Sequence, residues 1–347
     1  IILFVIFGAF LEASGAQRFF IDFPLAAVGH KIGGPAKVSV IASGLFGSIS
    51  GSAIANTVST GAFTIPMMKK AGFGPHVAGG IEPAASIGGM FMPPIMGAGG
   101  FIMAELTGEP YSTIMLVAIF PALMYFFSVY VMVHYEAKRF DIRGEKSEVP
   151  AMDILRREWF YILPLVSITI LMLMGYSPGY SAILGIVTCI AVSWFRKDTR
   201  VGPKQFLLAS RAGAENSLKI GATVGVIGII IGVLTYSGLM LTFADIVIEL
   251  ANGRLWLTIL LVALASLILS MGVPVTAAYL ITAVVAVPAL TELGVNPIAA
   301  HMIVYWLSQD SNITPPVCIA AFAGATIAKA NMWKTAFTSF KFAKFLY

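Results

Sequence analysis

Residues 308–317 read SQDSNITPPV and interrupt a segment that is otherwise apolar. The run IAAHMIVYWL precedes them, and CIAAFAGATIA follows them. A carboxylate inside a bilayer costs several kcal/mol, and two adjacent prolines break the hydrogen-bond ladder of a helix. Irregular backbone is tolerated at membrane depth only where it is buried in protein or lines a cavity. The stretch therefore predicts a membrane helix that is broken at a functional site.

The composition is that of a membrane protein. Of the 347 residues, 58% are hydrophobic and only 11% are charged, whereas a soluble domain is nearer a quarter charged. Several apolar runs reach or approach the ~20 residues that cross a bilayer as a helix. They predict spans at 1–14, 112–135, 159–175, 179–196 and 219–238. Because the chain starts inside such a run, we expect it to be a fragment.

Lys and Arg residues concentrate in loops, which orients the chain in the bilayer. The loop 136–158 carries six Lys and Arg residues, and the loop around 196–219 carries another six. The turn GYSPGYS (175–181) between them carries none, so both basic loops are predicted to be cytoplasmic. The net charge of +5 therefore reflects membrane orientation and does not indicate a nucleic-acid partner. The two cysteines lie in apolar runs and predict neither a disulfide nor a metal site.

The opening stretch has a partner earlier in the chain, SIGGMFMPPI at 86–95. A shift of 222 residues aligns 52–98 with 274–320 without a gap, and 11 of 47 positions are identical. The identities include the prolines of both Pro-Pro pairs, which matters because proline dictates the local backbone geometry. The sequence therefore contains an internal repeat centred on two Pro-Pro breaks.

Each copy is predicted to form a re-entrant helical hairpin followed by a transmembrane helix broken at its Pro-Pro. The hairpins are placed at 36–70 and 255–291, and the broken helices at 75–105 and 297–326. Two amphipathic arm helices, 19–34 and 241–254, are predicted to lie along the membrane interface before the hairpins.

The number of spans between the copies predicts their relative orientation. A hairpin that returns to its own side adds no crossing, so the four spans between the broken helices make the second copy run opposite to the first. We divide the chain into a first inverted repeat (1–135), a cytoplasmic loop (136–158) and a second inverted repeat (159–347). The predicted fold class is an all-α polytopic membrane protein with an inverted repeat.

Inverted repeats with discontinuous helices indicate a secondary transporter whose site lies at the midplane of the bilayer. An ion channel would also place polar backbone there, but its filter usually repeats around a pore axis in an oligomer. The chain carries no H-E-x-x-H motif, and the pattern does not predict an enzyme.

Oxygen-bearing residues gather at the first hairpin tip and at the first break, Ser86–Pro94. Hydroxyl, amide and carbonyl oxygens suit a small hard cation, and the pair Gly88-Gly89 would let backbone carbonyls approach closely. Alternatively, serine and glycine simply allow close helix packing in membranes. The tip residues concerned are Ser48, Ser50, Ser52, Asn56 and Thr57.

The second tip, 270–276, and the second break supply more side-chain oxygen, including the carboxylate of Asp310. Three roles are open for Asp310, namely a direct cation ligand, a proton carrier, or a cap of the second half-helix. Glu82 lies one turn before Ser86 on the same helix face. It is a second proton site, a hydrogen-bond partner of the first hairpin tip, or a residue that pairs structurally within the helix bundle.

Three segments resemble the large membrane subunit of tripartite ATP-independent periplasmic (TRAP) transporters. They are SGSAIANTVSTGAFTIPMMKKAGFGP, GGIEPAASIGGMFMPPIMGAGGFIMAE and NPIAAHMIVYWLSQDSNITPPVCIAAFAGATIAKA. They look most like the TAXI-type branch, in which the small and large membrane subunits are fused into one permease. The resemblance implies an elevator-type carrier of the ion transporter superfamily, multi-pass in the bacterial inner membrane.

The resemblance also implies partners and site residues. A periplasmic substrate-binding protein would deliver small organic anions such as carboxylates, and a Na⁺ or H⁺ gradient would drive import without any other cofactor. The small membrane subunit, or the missing fused N-terminal helices, would complete the permease in the lipid bilayer. A stand-alone Na⁺/carboxylate carrier without a binding protein is the nearest alternative.

The implied ion-binding residues lie at both tips and both breaks: Ser50, Gly51, Ser52, Asn56, Gly88, Gly89, Pro93, Gly272, Thr276, Asp310, Ser311, Asn312 and Thr314. The residues expected to contact substrate are Ser52, Thr57, Ser86, Thr276, Asn312 and Thr314.

Overall fold

A computed structural model describes residues 2–144 and 149–346, and this part of the chain is built almost entirely of helices. Residues 145–148 of the predicted cytoplasmic loop, including its Lys146, lie outside the described residues. The remainder of that loop is partly helical, because one helix extends into it to Arg139 and another covers 151–158.

Residues 2–144 form seven helices. They are α1 (Ile2–Ala13), α2 (Ala16–Val28), α3 (Gly34–Ser50), α4 (Ala53–Lys70), α5 (Pro75–Gly88), α6 (Gly97–Thr107) and α7 (Tyr111–Arg139).

Within residues 149–346 ten helices follow, with short 3₁₀ turns at Trp159–Ile162, Asp310–Asn312 and Lys344–Leu346. They are α8 (Ala151–Glu158), α9 (Leu163–Leu173), α10 (Pro178–Ser193), α11 (Pro203–Tyr236), α12 (Leu239–Leu250), α13 (Leu255–Leu269), α14 (Val275–Glu292), α15 (Pro297–Gln309), α16 (Ile319–Ala328) and α17 (Met332–Phe342).

The 222-residue repeat recurs in the backbone. Helix α4 spans 53–70 and α14 spans 275–292, so both bounds differ by the same shift. The starts of α5 and α15 differ by it too, as do those of α6 and α16. Gly72 and Gly294 are both left-handed, with φ of 107° and 85°, and both Pro-Pro bonds are cis. With the same shift, α1 corresponds to the second half of α11, and α2 corresponds to α12. Helices α9 and α10 therefore lie between the two repeated units.

Local sequence explains where the hairpins and broken helices start and stop. Both α5 and α15 begin at a proline. Proline suits this position because an N–H in the first turn of a helix has no partner within the helix, so its absence costs nothing. Gly51 ends α3 in the left-handed region at φ 63°, and the Ser52 side chain accepts a hydrogen bond from Ala55 N at the start of α4. The first hairpin tip is therefore only two residues long.

Three described helices are long and apolar enough to cross a membrane, namely α7, α11 and α14. Helices α1 and α2 together would make a fourth candidate, bent by 64° between them. Helices α9 and α10 are shorter than the spans predicted at 159–175 and 179–196. The span predicted at 219–238 forms the second half of the longer helix α11.

The arm helices differ slightly from their predicted ranges. The first is α2, which ends at Val28 and not at residue 34, because Gly33 is left-handed and Pro35 starts the next helix. The second, α12, covers 239–250 in place of 241–254.

Two clusters of buried apolar side chains hold the helices together. The larger, which we call the hairpin core, takes residues from α3 to α7 and from α12 to α17. The smaller, the peripheral core, is formed mainly by α1, α2, α9 and α10 and is rich in phenylalanine. The two hairpins and the two broken helices thus share one packed body.

Candidate functional site

The first hairpin packs backbone to backbone against the first broken helix. A Cβ on Gly89 would overlap the Cα of Gly47 at the end of α3. At the tip, a Cβ on Gly51 would come within 3.1 Å of the Cα of Gly97, where α6 begins. Such close approach requires glycine, and it places the tip directly over the break between α5 and α6.

The most polar feature of this unit is the side chain of Glu82, which is completely buried in α5. Both arms of the hairpin donate hydroxyl hydrogen bonds to its carboxylate, from Ser39 and Ser43 on α3 and from Thr60 and Thr64 on α4. A carboxylate has about four lone-pair sites, so these donors saturate it.

Asn56 adds a second cross-link one turn nearer the tip. Its Nδ2 donates to the carbonyl of Ser43 at 2.9 Å and to the carbonyl of Ser86 at 3.3 Å. The amide therefore ties α4 both to α3 and to α5, and Ser86 turns its own hydroxyl towards Glu82 at 3.4 Å. The buried hydroxyl Oγ1 of the neighbouring Thr57 has no hydrogen-bond partner among the described residues.

Other residues predicted for the first site lie in different environments. Ser52 caps α4, and the hydroxyl of Ser50 donates to the carbonyl of Ser52 at 3.4 Å. Gly88 faces the rings of Tyr125 and Phe126 on α7, while its neighbour Gly89 faces the hairpin. Successive helical positions point about 100° apart, which is why only one glycine of the pair meets the tip.

Tyrosine hydroxyls bond carbonyls that the first break sets free, and no pattern in the sequence predicts these contacts. The hydroxyl of Tyr111 on α7 lies 2.9 and 2.6 Å from the carbonyls of Pro94 and Ile95 and donates to one of them at a time. Tyr305 on α15 reaches the carbonyls of Met90 and Met96 at 3.0 and 2.8 Å. The main-chain oxygens at this break are thus partly satisfied by protein. Pro93 itself borders a small apolar cavity between α7 and α9.

The second site has a different character because its polar atoms are less satisfied. Asp310 is 3% exposed and ends α15, and its Oδ1 has no hydrogen-bond partner in the described chain. The adjacent Gln309 donates from Nε2 to Ser308 Oγ at 2.9 Å, but its Oε1 is also buried without a partner. Two neighbouring residues therefore each present an unpaired oxygen.

The capping role that was left open for Asp310 is excluded by the position of the second half-helix. Helix α16 begins at Ile319, and its preceding residue is Cys318 with φ 36°. An N-cap side chain bonds an amide two or three residues later, so Asp310 is too far back along the chain. Its backbone carbonyl instead accepts from Ile313 N and Thr314 N, at 3.1 and 2.8 Å.

The second break also contacts its hairpin tip. The Ser311 hydroxyl donates to the carbonyl of Ser270 at 3.0 Å, and Asn312 Nδ2 donates back to the carbonyl of Gln309 at 3.1 Å. Gly272 at the tip is exposed with φ 71°, and a Cβ there would meet nothing within 4 Å. Thr276 is half-buried and Thr314 is buried. This tip is therefore less tightly packed than the first.

The donor set fits a small hard cation better than a transition metal. Carboxylate, amide and hydroxyl oxygens are hard ligands, and the unpaired Oδ1 of Asp310 needs a positively charged or hydrogen-donating partner. Among the described residues, no three His, Cys, Asp or Glu side chains gather in a metal-binding group.

The sequence contained a pattern that would have identified the hydroxyl residues around Glu82. Ser39 and Ser43, Thr60 and Thr64, and Glu82 and Ser86 are each four residues apart in apolar segments. Each pair therefore lies on one helix face, and three such faces can meet around one buried acid. The tyrosines at the first break carry no comparable signal, because buried tyrosine is common.

Comparisons with known proteins agree with this architecture. The sequence model of a family described as "Tripartite ATP-independent periplasmic transporter, DctM component" matches residues 1–347. The solved structure of the YdaH transporter of Alcanivorax borkumensis superimposes with a TM-score of 0.58 at 15% identity, covering 99% of this chain and 82% of that one. At this identity the likeness shows the fold alone.

Three curated relatives span most of this chain. The C4-dicarboxylate TRAP transporter large permease protein DctM of Pseudomonas aeruginosa is 26% identical, over 95% of this chain and 79% of its own. The 2,3-diketo-L-gulonate TRAP transporter large permease protein YiaN of Escherichia coli is 24% identical, over 90% and 74%. The sialic acid TRAP transporter permease protein SiaT of Haemophilus influenzae is 22% identical, over 95% and 53%.

Proposed function

The chain belongs to the DctM family of tripartite ATP-independent periplasmic transporter components, and from this membership we propose that it imports small organic anions by secondary active transport. It is a membrane permease subunit and not an enzyme. The coupling ion is Na⁺ or H⁺, and no other cofactor takes part.

The observation that carries this proposal is the second break beside its hairpin tip. Asp310 is a buried acid with an unpaired oxygen, adjacent to the unpaired Oε1 of Gln309 and to Ser311, which contacts the tip. A buried carboxylate without a partner is costly unless it binds a cation or a proton in the working cycle. The freed backbone carbonyls of a broken helix suit Na⁺ in the same place.

The substrate class is supported by what the relatives are named for. C4-dicarboxylates, sialic acid and 2,3-diketo-L-gulonate are different compounds, but each is an organic acid. At the substrate site, Thr57 Oγ1 and the hydroxyls of Ser52, Ser86, Thr276 and Thr314 with the amide of Asn312 offer hydrogen bonds to such anions. The positive ends of the half-helix dipoles favour negative charge as well.

An elevator mechanism with an inverted repeat is supported by how the helices pack. The hairpins and broken helices share the hairpin core, whereas α1, α2, α9 and α10 form the peripheral core. Helix α5 meets α16 at Gly79 and Gly324, and its repeat mate α15 meets α6 at Gly99. Each first half-helix thus packs on the second half-helix of the other copy, as a two-fold relation between the copies requires. The hairpin core would then move as one body against the peripheral core.

The family description names a three-part system, which supports a periplasmic binding protein and a small membrane subunit as partners. The TAXI-type fusion and the bacterial inner membrane remain parts of this proposal. A stand-alone carrier on the same plan would need no binding protein.

The test is uptake by the complete system, with its binding protein, in proteoliposomes that carry either a Na⁺ or a proton gradient. Asp310→Asn removes the charge and keeps the shape of the side chain. We expect it to raise the Na⁺ concentration for half-maximal uptake by roughly tenfold to a hundredfold, as for the loss of a charged interaction.

Asp22→Asn is the matched control, because Asp22 makes an exposed ion pair with Arg18 on α2. It should leave the Na⁺ dependence unchanged. Unaltered Na⁺ and proton dependence in Asp310→Asn would refute the assignment of the coupling site. Full uptake without the binding protein would instead establish the stand-alone carrier.

A further inference from the structure

One side chain connects the two broken helices directly. Tyr305 is completely buried in α15, five residues before Asp310, and belongs to the second copy of the repeat. Its hydroxyl lies 3.0 Å from the carbonyl of Met90 and 2.8 Å from that of Met96. These carbonyls stand on either side of the first Pro-Pro, so a residue of the second copy holds both edges of the first break.

The ring of Tyr305 is held in a fitted slot. A Cβ on Gly99 of α6 would overlap the ring, so only glycine leaves space for it there. Phe91 packs edge-on at 6.0 Å between ring centroids, and Tyr279 packs edge-on at 5.1 Å. Because these neighbours prevent the ring from rotating aside, a movement of α15 carries the hydroxyl with it. The hydrogen bonds to the first break then change as well.

The hydroxyl has one hydrogen and two carbonyls within reach. It can donate to only one of them at a time, so the bond can pass between Met90 and Met96 when the break changes shape. Tyr111 also donates to carbonyls of this break, but it comes from α7 of the same copy. Tyr111 therefore supports the first break without linking it to α15.

We propose that Tyr305 is a positioning residue that couples cation binding at the second break to the geometry of the first. A cation bound by Asp310 orders the end of α15, which places the Tyr305 hydroxyl and thereby the carbonyls of Met90 and Met96. The two breaks then bind cations cooperatively. This inference rests on the proposed function, because it takes each break to hold a coupling cation.

The experiment compares Tyr305→Phe with the wild type in the complete transport system. Phenylalanine keeps the ring in its slot and removes the hydroxyl alone. We expect the Hill coefficient for Na⁺ in uptake to fall towards 1, with the Na⁺ concentration for half-maximal uptake raised about fivefold or more, as for the loss of a typical coupling between sites. The thermal unfolding midpoint should change little.

Two further variants separate coupling from local structure. Tyr111→Phe removes a hydrogen bond from the same break, and it should weaken Na⁺ activation while keeping the wild-type Hill coefficient. Gly99→Ala adds the methyl group that overlaps the Tyr305 ring, and it should lower the Hill coefficient as Tyr305→Phe does.

A Tyr305→Phe variant that keeps a wild-type Hill coefficient above 1 overturns the coupling role and leaves the proposed function standing. A Hill coefficient of 1 for Na⁺ in the wild type also overturns the coupling role of Tyr305. Wild-type uptake driven by the proton gradient alone, without Na⁺ dependence, removes the two-cation premise and this inference with it.

Discussion

Buried polar residues in this chain fall into two kinds, satisfied and unsatisfied. Glu82 accepts from hydroxyls on both hairpin arms and so behaves as a clamp that closes the arms on α5. Asp310 presents an unpaired oxygen at the other break. The two acids are not mates in the repeat, because the shift of 222 residues pairs Glu82 with Val304 and Asp310 with Gly88. We infer that Asp310 is the acidic ligand for a coupling cation, whereas Glu82 is held by the hairpin arms.

The hydrogen bonds that join Glu82 to both hairpin arms lead to a prediction for Glu82→Gln. The amide keeps the volume of the side chain, but its NH₂ group faces hydroxyls that donate to the carboxylate. Thr60 and Thr64 can turn to the carbonyls of Asn56 and Thr60, whereas Ser39 loses its acceptor. We expect a loss of roughly 1.5–3 kcal/mol in stability, measured by thermal unfolding in nanodiscs.

Glu105→Gln is the control, since this glutamate at the end of α6 is exposed, and it should stay within about 0.5 kcal/mol of the wild type. The pH dependence of uptake should survive in Glu82→Gln. A variant of normal stability that has lost its pH response would make Glu82 a proton site and not a clamp.

At the level of the helices, the repeat explains more than any single residue does. A Pro at the start of each first half-helix and a Pro-Pro at each break recur after 222 residues, and the helix bounds recur with them. These features were predictable from sequence because proline removes a backbone donor and limits φ wherever it occurs. The hairpin ranges and broken helices were accordingly close to those observed. The ranges predicted for the arm helices differed more from the observed ones, because the ends of these helices depend on glycine conformation.

The contact between α3 and α5 makes an element-scale prediction for Gly89→Ala. The new Cβ would overlap the backbone of Gly47, and backbone cannot move aside as a flexible side chain can. We expect the hairpin to shift on α5, with a loss of about 1–3 kcal/mol in thermal stability and reduced uptake.

Gly221→Ala in α11 is the control for replacing a helical glycine by alanine where no clash occurs. Nothing lies within 4 Å of a Cβ there, and alanine favours a helix over glycine by about 1 kcal/mol. That variant should be neutral or slightly more stable. Equal stability of both variants would mean that the tip does not depend on this close approach.

For the whole molecule, the division into two cores predicts motion of one against the other. Spin labels at the exposed Phe63 on α4 and Val187 on α10 would report on it, in a background with Cys189 and Cys318 changed to alanine. We expect the distance distribution to shift by at least about one helical turn, ~5 Å, when Na⁺ and substrate are added.

Labels at Phe63 and the exposed Trp333 provide the internal control, because α17 packs on α5 within the same body. Their distance should stay constant under the same conditions. If the distance between positions 63 and 187 is equally constant, the elevator proposal fails.

The sequence by itself determined the helical membrane class, the internal repeat, the positions of both breaks and the candidate acids. Apolar run length, proline and charge act locally or through composition, so they can be read without a fold. Only the tertiary structure decided which polar atoms are satisfied. In it, hydroxyls of both hairpin arms surround Glu82, Gly88 faces away from the hairpin, and tyrosines bond carbonyls of the first break. The Oδ1 of Asp310 has no hydrogen-bond partner among the described residues. Those outcomes depend on which helix faces meet, and contacts between residues as far apart as Tyr305 and Met90 are not encoded in local sequence.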